Sequence, residues 1–485
     1  MTDTTPAQLE TALSAVASAA PVLAESSFAE RARMLRALAD RIDLDADDLV
    51  PVAQSESHLP AERLTGEVAR TTGQLRFLAD VVLDGAWLEA TIDTVDPEAP
   101  GLRPDVRSLR VPLGVALVFA ASNFPFAFSV AGGDTASALA AGCPVLLKAH
   151  PGHPELSARM GTLVREVFGP AFALVDGVEA GLRAVVDPRV KVAAFTGSTA
   201  GGRNLFDLAV GRDDPIPFYG ELGSVNPAFV SPGAAAARPA QIAAEFVGSF
   251  TLGVGQFCTK PGLFFVPTGS TLLRETVACA TGLAGAPVLG DWVQQGHASR
   301  LAELRETPGV DIALDGGGSA DDVRPTVLAT TLAQLLEGPS HLVEECFGPT
   351  ALVVEYDDLA DLPAAARAIG GSLTASLHVE PDEADALQPL AAVLQSVAGR
   401  LVWNGWTTGV RVSWAMQHGG PWPASTFAGS TSVGAASILR FLRPLAFQNA
   451  PQAYLPIPLR DRNELGIPRR IDGLISKSDV SRSSG

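Results

Sequence analysis

Cysteine is scarce in this 485-residue chain: four occur, at positions 143, 258, 279 and 346. None falls in a CxxC pair and the spacings fit no zinc module. A disulfide scaffold and a zinc ribbon are set aside, no metal is expected, and a reducing cytoplasm is the simpler setting. Basic residues are also few. Lys plus Arg is 35 against 53 Asp plus Glu, a formal charge of −18, and the only lysines are Lys148, Lys191, Lys260 and Lys477. Such a chain lacks the basic footprint that binding to nucleic acid demands, although a local pocket can oppose the net sign and hold a small anion. Long apolar runs are missing too. The most continuous, residues 111–121, falls well short of a bilayer span, which takes about 20 residues. The Ala-rich stretch 11–24 has no Lys or Arg ahead of it, and Asp3 and Glu10 sit where a signal peptide is basic, so it reads as an amphipathic helix. Also absent are G-x-x-x-x-G-K-[ST], H-E-x-x-H, G-x-S-x-G and any G-x-G-x-x-G that opens a helix.

With 47% hydrophobic and 18% charged residues, the chain can bury a large core, and its length suggests two large domains or as many as four. Residues 6–86 read as helices, with Phe28, Ala32, Leu35, Leu38, Ala39 and Ile42 at helical spacing. A polar, Pro-rich stretch over 91–112 breaks this run and reads as a projecting hairpin. Beyond it, strands predicted at 115–121, 144–148, 172–175 and 190–195 alternate with helices at 128–141, 154–168 and 199–210. That alternation predicts an α/β fold with a parallel sheet, whose ligands sit at the carboxyl ends of the strands. A second α/β segment starts near Asn226, with strands at 227–230, 263–266 and 352–355 and a helix at 240–250. From Arg460 onward the chain reads as a polar surface tail.

Five short stretches carry chemistry. Gly255-Gln256-Phe257-Cys258-Thr259-Lys260-Pro261-Gly262 sets a cysteine between turn-forming residues. An isolated cysteine usually packs in a core, but loops present reactive groups, and a thiol of pKa about 8.5 needs a base, a dipole or a cation to act at neutral pH. Cys143, Cys279 and Cys346 lie in apolar or helical contexts and read as structural. Pro217-Phe218-Tyr219-Gly220-Glu221-Leu222-Gly223 surrounds one carboxylate with apolar groups. Such surroundings raise a pKa toward that of a general base; a solvated turn glutamate is the alternative. Ser122-Asn123-Phe124-Pro125 follows a predicted strand, where the Asn123 amide can donate to a developing oxyanion or close an Asx-turn. Lys148 ends strand 144–148 at the ligand crevice. Phe195-Thr196-Gly197-Ser198-Thr199-Ala200-Gly201-Gly202 opens a helix with small residues that let a phosphate approach.

Taken in this order, and with Glu345-Cys346-Phe347-Gly348-Pro349, these pieces resemble the aldehyde dehydrogenase superfamily over about residues 28–456. The run from Val130 to Pro144 leads into Lys148-Ala149-His150-Pro151. Together with Asn404-Gly405-Trp406, His418-Gly419-Gly420-Pro421 and Thr431-Ser432-Val433-Gly434, it is similar to one branch. That branch holds α-ketoglutaric semialdehyde (2,5-dioxovalerate) dehydrogenases and an NADP-dependent fatty-aldehyde relative. The resemblance implies a Rossmann-type NAD(P)-binding domain from 1–92 and 113–222, an α/β catalytic domain from 223–436, and an oligomerisation element and tail from 93–112 and 437–485. A homodimer or homotetramer follows from the last.

The resemblance also implies roles. Cys258 attacks the aldehyde, Asn123 holds the oxyanion, and Glu221 activates water against the thioester. Lys148 binds the adenosine ribose, Gly197, Ser198 and Gly202 frame the pyrophosphate, Glu345 holds the nicotinamide ribose and Phe347 packs beside it. NAD-preferring relatives often place Glu three residues after the lysine. Pro151 stands there instead, so no carboxylate repels a 2′-phosphate and His150 is placed to help hold it; NADP is expected, with NAD also accepted. The branch usually has an acidic residue, Val, Cys and His after Gly409-Val410, and Asp-Ser-Arg before Thr-Ser-Val-Gly. This chain has Arg411-Val412-Ser413-Trp414 and Phe427-Ala428-Gly429. Trp414 and Phe427 suit an apolar or aromatic aldehyde if they line the tunnel, and Arg411 offers a replacement cation for an acidic one. A cysteine-dependent esterase or thioester hydrolase without redox chemistry, and a non-catalytic member, remain the rival readings.

Overall fold

The computed structural model describes residues 3–95, 104–319, 321–338 and 340–481. Most of the predicted tip of the Pro-rich hairpin lies outside them. Residues 6–86 form four helices, Pro6–Glu25, Phe28–Leu44, Ala46–Ser57 and Ala61–Asp84. Each buries a stripe at helical spacing: Leu35, Leu38, Ala39 and Ile42 of the second meet Leu75, Leu78, Ala79 and Val82 of the fourth in one core. Among the described residues no helix is long and apolar enough to cross a membrane.

Three sheets organise the rest. The first is five-stranded and wholly parallel, in the order Phe172–Val175, Val145–Lys148, Val115–Phe119, Val190–Thr196, Phe218–Glu221. The chain leaves Val115–Phe119 toward one edge and returns on its other side. That reversal opens a crevice at the carboxyl ends of the central strands, where such sheets bind ligands. The second sheet has seven strands, Asp311–Leu314, Thr326–Thr331, Thr350–Tyr356, Leu263–Pro267, Ala228–Val230, Ser372–His378 and Ala398–Trp403, parallel except for the first. Continuous Val, Leu and Phe runs suit strands covered on both faces.

The third sheet departs from expectation. Leu442–Gln448 pairs antiparallel with Val106–Pro112, which pairs with Thr91–Asp93, which pairs in turn with Arg469–Ile471 and then Leu474–Ser476. The region read as a polar surface tail is therefore part of a sheet. Arg469 is buried there, donating to the carbonyls of Arg460 and Ser478. Polarity misled because the guanidinium satisfies backbone acceptors rather than solvent. The helix expected at 128–141 begins only at Gly133. Residues 124–132 are turns instead, and the amide of Gly133 donates back to the carbonyl of Ala127.

Candidate active site

The carboxyl ends of the first sheet gather several candidates. Lys148 is in register with Phe119, and Glu221 with Thr196. Asn123 follows Val115–Phe119 after four residues, and Ser198 follows Val190–Thr196. The turn after Asn123 is held from outside: Arg63 Nη2 donates to the Asn123 carbonyl at 2.7 Å. Glu67 accepts from the amides of Phe126 at 2.8 Å and Ala127 at 2.9 Å. Asn123 is itself buried, and its Nδ2 donates to the carbonyl of Gln256 at 3.2 Å, two residues before the cysteine.

The turn that presents Cys258 is built on unusual backbone. Gly253, Val254 and Gly255 take φ of 57°, 59° and 68° in succession, a left-handed path that favours glycine and strains valine. A side chain at Gly255 would strike the carbonyl of Gly348, so the glycine before the cysteine also lets the Glu345–Pro349 turn approach. Behind the turn, Asn226 Nδ2 donates to the carbonyls of Cys258 at 2.8 Å and Lys260 at 2.9 Å. Lys260 is fully buried, and its Nζ donates to the carbonyls of Cys346 at 2.7 Å and Thr350 at 2.9 Å. The thiol turn and the Glu345–Phe347 turn are thus tied by one ammonium group.

Cys258 Sγ lies 3.6 Å from His418 Nε2, which is 2.8 Å from Glu221 Oε1. Ser432 Oγ donates to the other oxygen, Oε2, at 2.7 Å. The three reactive atoms all lie within 4.8 Å of one another. A carboxylate beside Nε2 selects the tautomer that carries its proton there. Burial pushes the Glu221 carboxyl up, but the His418 ring, the Ser432 hydroxyl and the Cys258 thiol outweigh it and bring the pKa down to about 2. The pKa expected from apolar neighbours was therefore of the wrong sign, because the polar partners come from far along the chain. Burial, then the Glu221 charge, push the Cys258 thiol well above its usual value, and Arg70 opposes them. At rest the proton stays on sulfur and Glu221 is ionised.

The residues expected to hold a cofactor occupy the crevice side. Lys148 is half-buried, which lowers its pKa, with Asp176 opposing. His150 Nδ1 accepts from the Gly152 amide at 3.0 Å, and its ring lies 5.5 Å from those of His153 and Trp292. Burial and those neighbouring charges push it down to about 3, so it offers a phosphate one neutral N–H rather than a charge. Ser198 caps helix Thr199–Val210 by accepting from the Gly201 amide at 3.2 Å. The Gly197 amide donates to the Glu221 carbonyl at 3.1 Å, and a side chain at Gly202 would strike Leu222. Glu345 accepts from the Ser224 amide, and burial pushes it up to about 7 against the pull of Lys260. Phe347 packs, partly buried, against the main core.

The structure does not bring the three candidate substrate residues to the sulfur. Arg411 is exposed. Trp414, 55% exposed, stands edge-on to Phe77 at 5.4 Å, and Phe427, 54% exposed, to Tyr219 at 6.0 Å. Sequence reasoning missed the role of His418, quoted only within His418-Gly419-Gly420-Pro421, and the whole face of helix Ala61–Asp84 that carries Arg63, Glu67 and Arg70. The available signal was charges recurring on one side of an otherwise apolar helix.

Comparison with known proteins agrees with this geometry. The model of the aldehyde dehydrogenase family matches residues 1–443. The chain is 43% identical over 459 residues to alpha-ketoglutaric semialdehyde dehydrogenase 2 of Azospirillum brasilense, covering 92% of this chain and 87% of the relative. It is 38% identical to alpha-ketoglutaric semialdehyde dehydrogenase of Acinetobacter baylyi, covering 93% and 88%. Its fold superposes with a TM-score of 0.78 on the NADP-dependent glyceraldehyde-3-phosphate dehydrogenase of Bacillus halodurans, at 20% identity and 92% coverage of each chain. The match over residues 1–443 and the long alignments above establish that this chain belongs to the aldehyde dehydrogenase family.

Proposed function

We propose that the chain oxidises an aldehyde to a carboxylic acid with NADP or NAD, through a thiohemiacetal and then a thioester on Cys258. One observation carries the reading: a cysteine, an amide donor and a carboxylate–imidazole pair meet at the carboxyl ends of a parallel sheet. The groups that would hold the cofactor fit its chemistry. The Ser198-capped helix start, with Gly202 beside it, admits a pyrophosphate, and Lys148 at its strand end supplies a cation. Glu345, held near neutrality, offers acceptor oxygens to a ribose. No carboxylate follows Lys148 within three residues, which favours NADP. When bound there, the cofactor supplies the hydride acceptor that separates the two covalent states.

The chain's own residues do the rest. Cys258 passes its proton to the Glu221–His418 pair as sulfur bonds to the aldehyde carbon. The carbonyl oxygen gains charge and is met by the Asn123 amide, once it turns from Gln256, and by the Cys258 backbone N–H. In the second half Glu221 takes a proton from water, which attacks the acyl carbon. The tetrahedral state collapses and the sulfur leaves, recovering a proton. The relatives' substrate makes α-ketoglutaric semialdehyde the first aldehyde to offer. Strand Leu442–Gln448, partnered on one side only among the described residues, would pair with another copy in a homodimer or homotetramer.

The test is absorbance at the reduced-nicotinamide band over a panel of aldehydes with each cofactor. Reduction that needs both aldehyde and Cys258 supports the reading. Ester cleavage indifferent to nicotinamide, with no aldehyde oxidised, would replace it with the hydrolase.

A further inference from the structure

The face of helix Ala61–Asp84 toward the thiol is charged in a way the reaction does not require. Arg63, Arg70 and Phe77 recur every seven residues, two turns apart, with Glu67 and Gln74 between them. Most of these have a structural task. Arg63 holds the Asn123 carbonyl and Glu67 the amides of Phe126 and Ala127. Gln74 packs beside Gly133, and Phe77 meets Trp414. Arg70 has no such partner. Its guanidinium carbon lies 5.0 Å from the ring centre of Phe128 and 5.7 Å from that of Phe124, and its Nη1, though buried, has no hydrogen-bond partner among the described residues.

A guanidinium stacked on aromatic rings uses its flat face and leaves its edge N–H groups free, the arrangement that receives a carboxylate in two parallel hydrogen bonds. Leaving a buried donor unmade is costly, so an anion completing it is favoured. The position is right as well. Phe128 lies 6.2 Å from the His418 ring, and Phe124 lies 5.2 Å from Phe257, the neighbour of Cys258. The Arg70 charge is felt at both Cys258 and Glu221. Phe124, Phe128 and Phe257 are all partly exposed, an apolar wall for the carbons between a bound anion and the sulfur.

We propose that Arg70 anchors the carboxylate of an acidic aldehyde, holding the far end of a short ω-carboxy aldehyde while its carbonyl carbon meets Cys258. The proposal rests on the aldehyde-oxidising function above and adds the substrate class, acidic aldehydes in preference to alkanals. Arg411, exposed and distant from these rings, has no part in it.

The experiment compares 5-oxopentanoate with pentanal, equal in length and differing in the carboxylate, on the full chain. Arg70→Met should raise KM for 5-oxopentanoate by about 10- to 100-fold and leave pentanal kinetics within about two-fold. Arg70→Lys should fall between, and Arg411→Gln should change neither substrate. Equal losses on both aldehydes, or an unchanged ratio of their kcat/KM values, would overturn the anchor. A second readout needs no turnover. Glutarate, and not neutral glutaramide, should protect Cys258 from iodoacetamide in the unmodified protein, and the protection should vanish in Arg70→Met or shrink in Arg70→Lys. Equal protection by both compounds, or none, counts against the proposal. If no aldehyde is oxidised with either cofactor, the function fails; glutarate protection dependent on Arg70 would still uphold the anion site.

Discussion

His418 Nε2 donates to Glu221 Oε1 across 2.8 Å, and this bond sets where the protons of the site reside. It holds the carboxylate ionised and leaves the neighbouring thiol protonated. The free enzyme therefore rests with a sulfur that is a poor nucleophile and a poor target for oxidants. The proton moves only when an aldehyde offers the sulfur a bond.

Removing the Glu221 charge should make the thiol more acidic, since that charge is, after burial, the main cause of its raised pKa. In Glu221→Gln the pH midpoint of Cys258 alkylation by iodoacetamide should move down. The same variant should give a burst of reduced cofactor followed by slow turnover, because acylation survives and hydrolysis lacks its base. A midpoint that rises would contradict the charge assignment.

Removing His418 should act on Glu221 in the opposite sense. The carboxyl is depressed to about 2 chiefly by that ring, against burial. In His418→Asn burial should raise it, so the acid limb of the kcat/KM profile should shift to higher pH. The sign for stability follows. A depressed folded pKa adds stability above the unfolded value of about 4.5, lost as pH falls through the folded value. Thermal unfolding at pH 7 should therefore show His418→Asn to be less stable than the unmodified protein, with the gap closing in strong acid.

Asn123→Ala should cost about 10²–10³ in kcat, the usual toll of losing one oxyanion donor. Its carbonyl bond to Arg63 is made by the backbone and survives, so the turn should stay folded. Unchanged cofactor affinity alongside the slow rate would separate this from misfolding.

Glu345 titrates near neutrality, raised to about 7 by burial. If its ionised oxygens accept from a ribose, cofactor affinity should rise as pH passes upward through 7. Glu345→Gln should flatten that dependence. Titration of cofactor binding by fluorescence, without any aldehyde, is the measurement, and an unaltered pH dependence in the variant would exclude the role.

Much of the scaffold was legible in the sequence because its signals are local. Helices Pro154–Phe168 and Thr199–Val210 and strand Phe172–Val175 form over the residues expected, since turn residues and an apolar period delimit each one. Cys258, Glu221, Asn123 and Lys148 stood out for a similar reason, each lying in a short, distinctive turn or at a strand end. What escaped was pairwise. Glu221 looked apolar from its neighbours in sequence, whereas Ser432 and His418 reach it from about 200 positions away. Helix Ala61–Asp84 looked like one more amphipathic helix, because nothing nearby announces that Glu67 will hold the amides after Asn123. The buried strand Arg469–Ile471 was missed because its arginine is paid for by carbonyls that only the folded chain assembles.

That late strand has a consequence for biosynthesis. Thr91–Asp93 is flanked by Val106–Pro112 on one side and by Arg469–Ile471 on the other. A ribosome exposes the first two early and the third only as translation nears its close. For most of synthesis, then, Thr91–Asp93 waits with a bare edge, open to the wrong companion. The nascent protein is exposed to mispairing at this seam until its final segment arrives to close it.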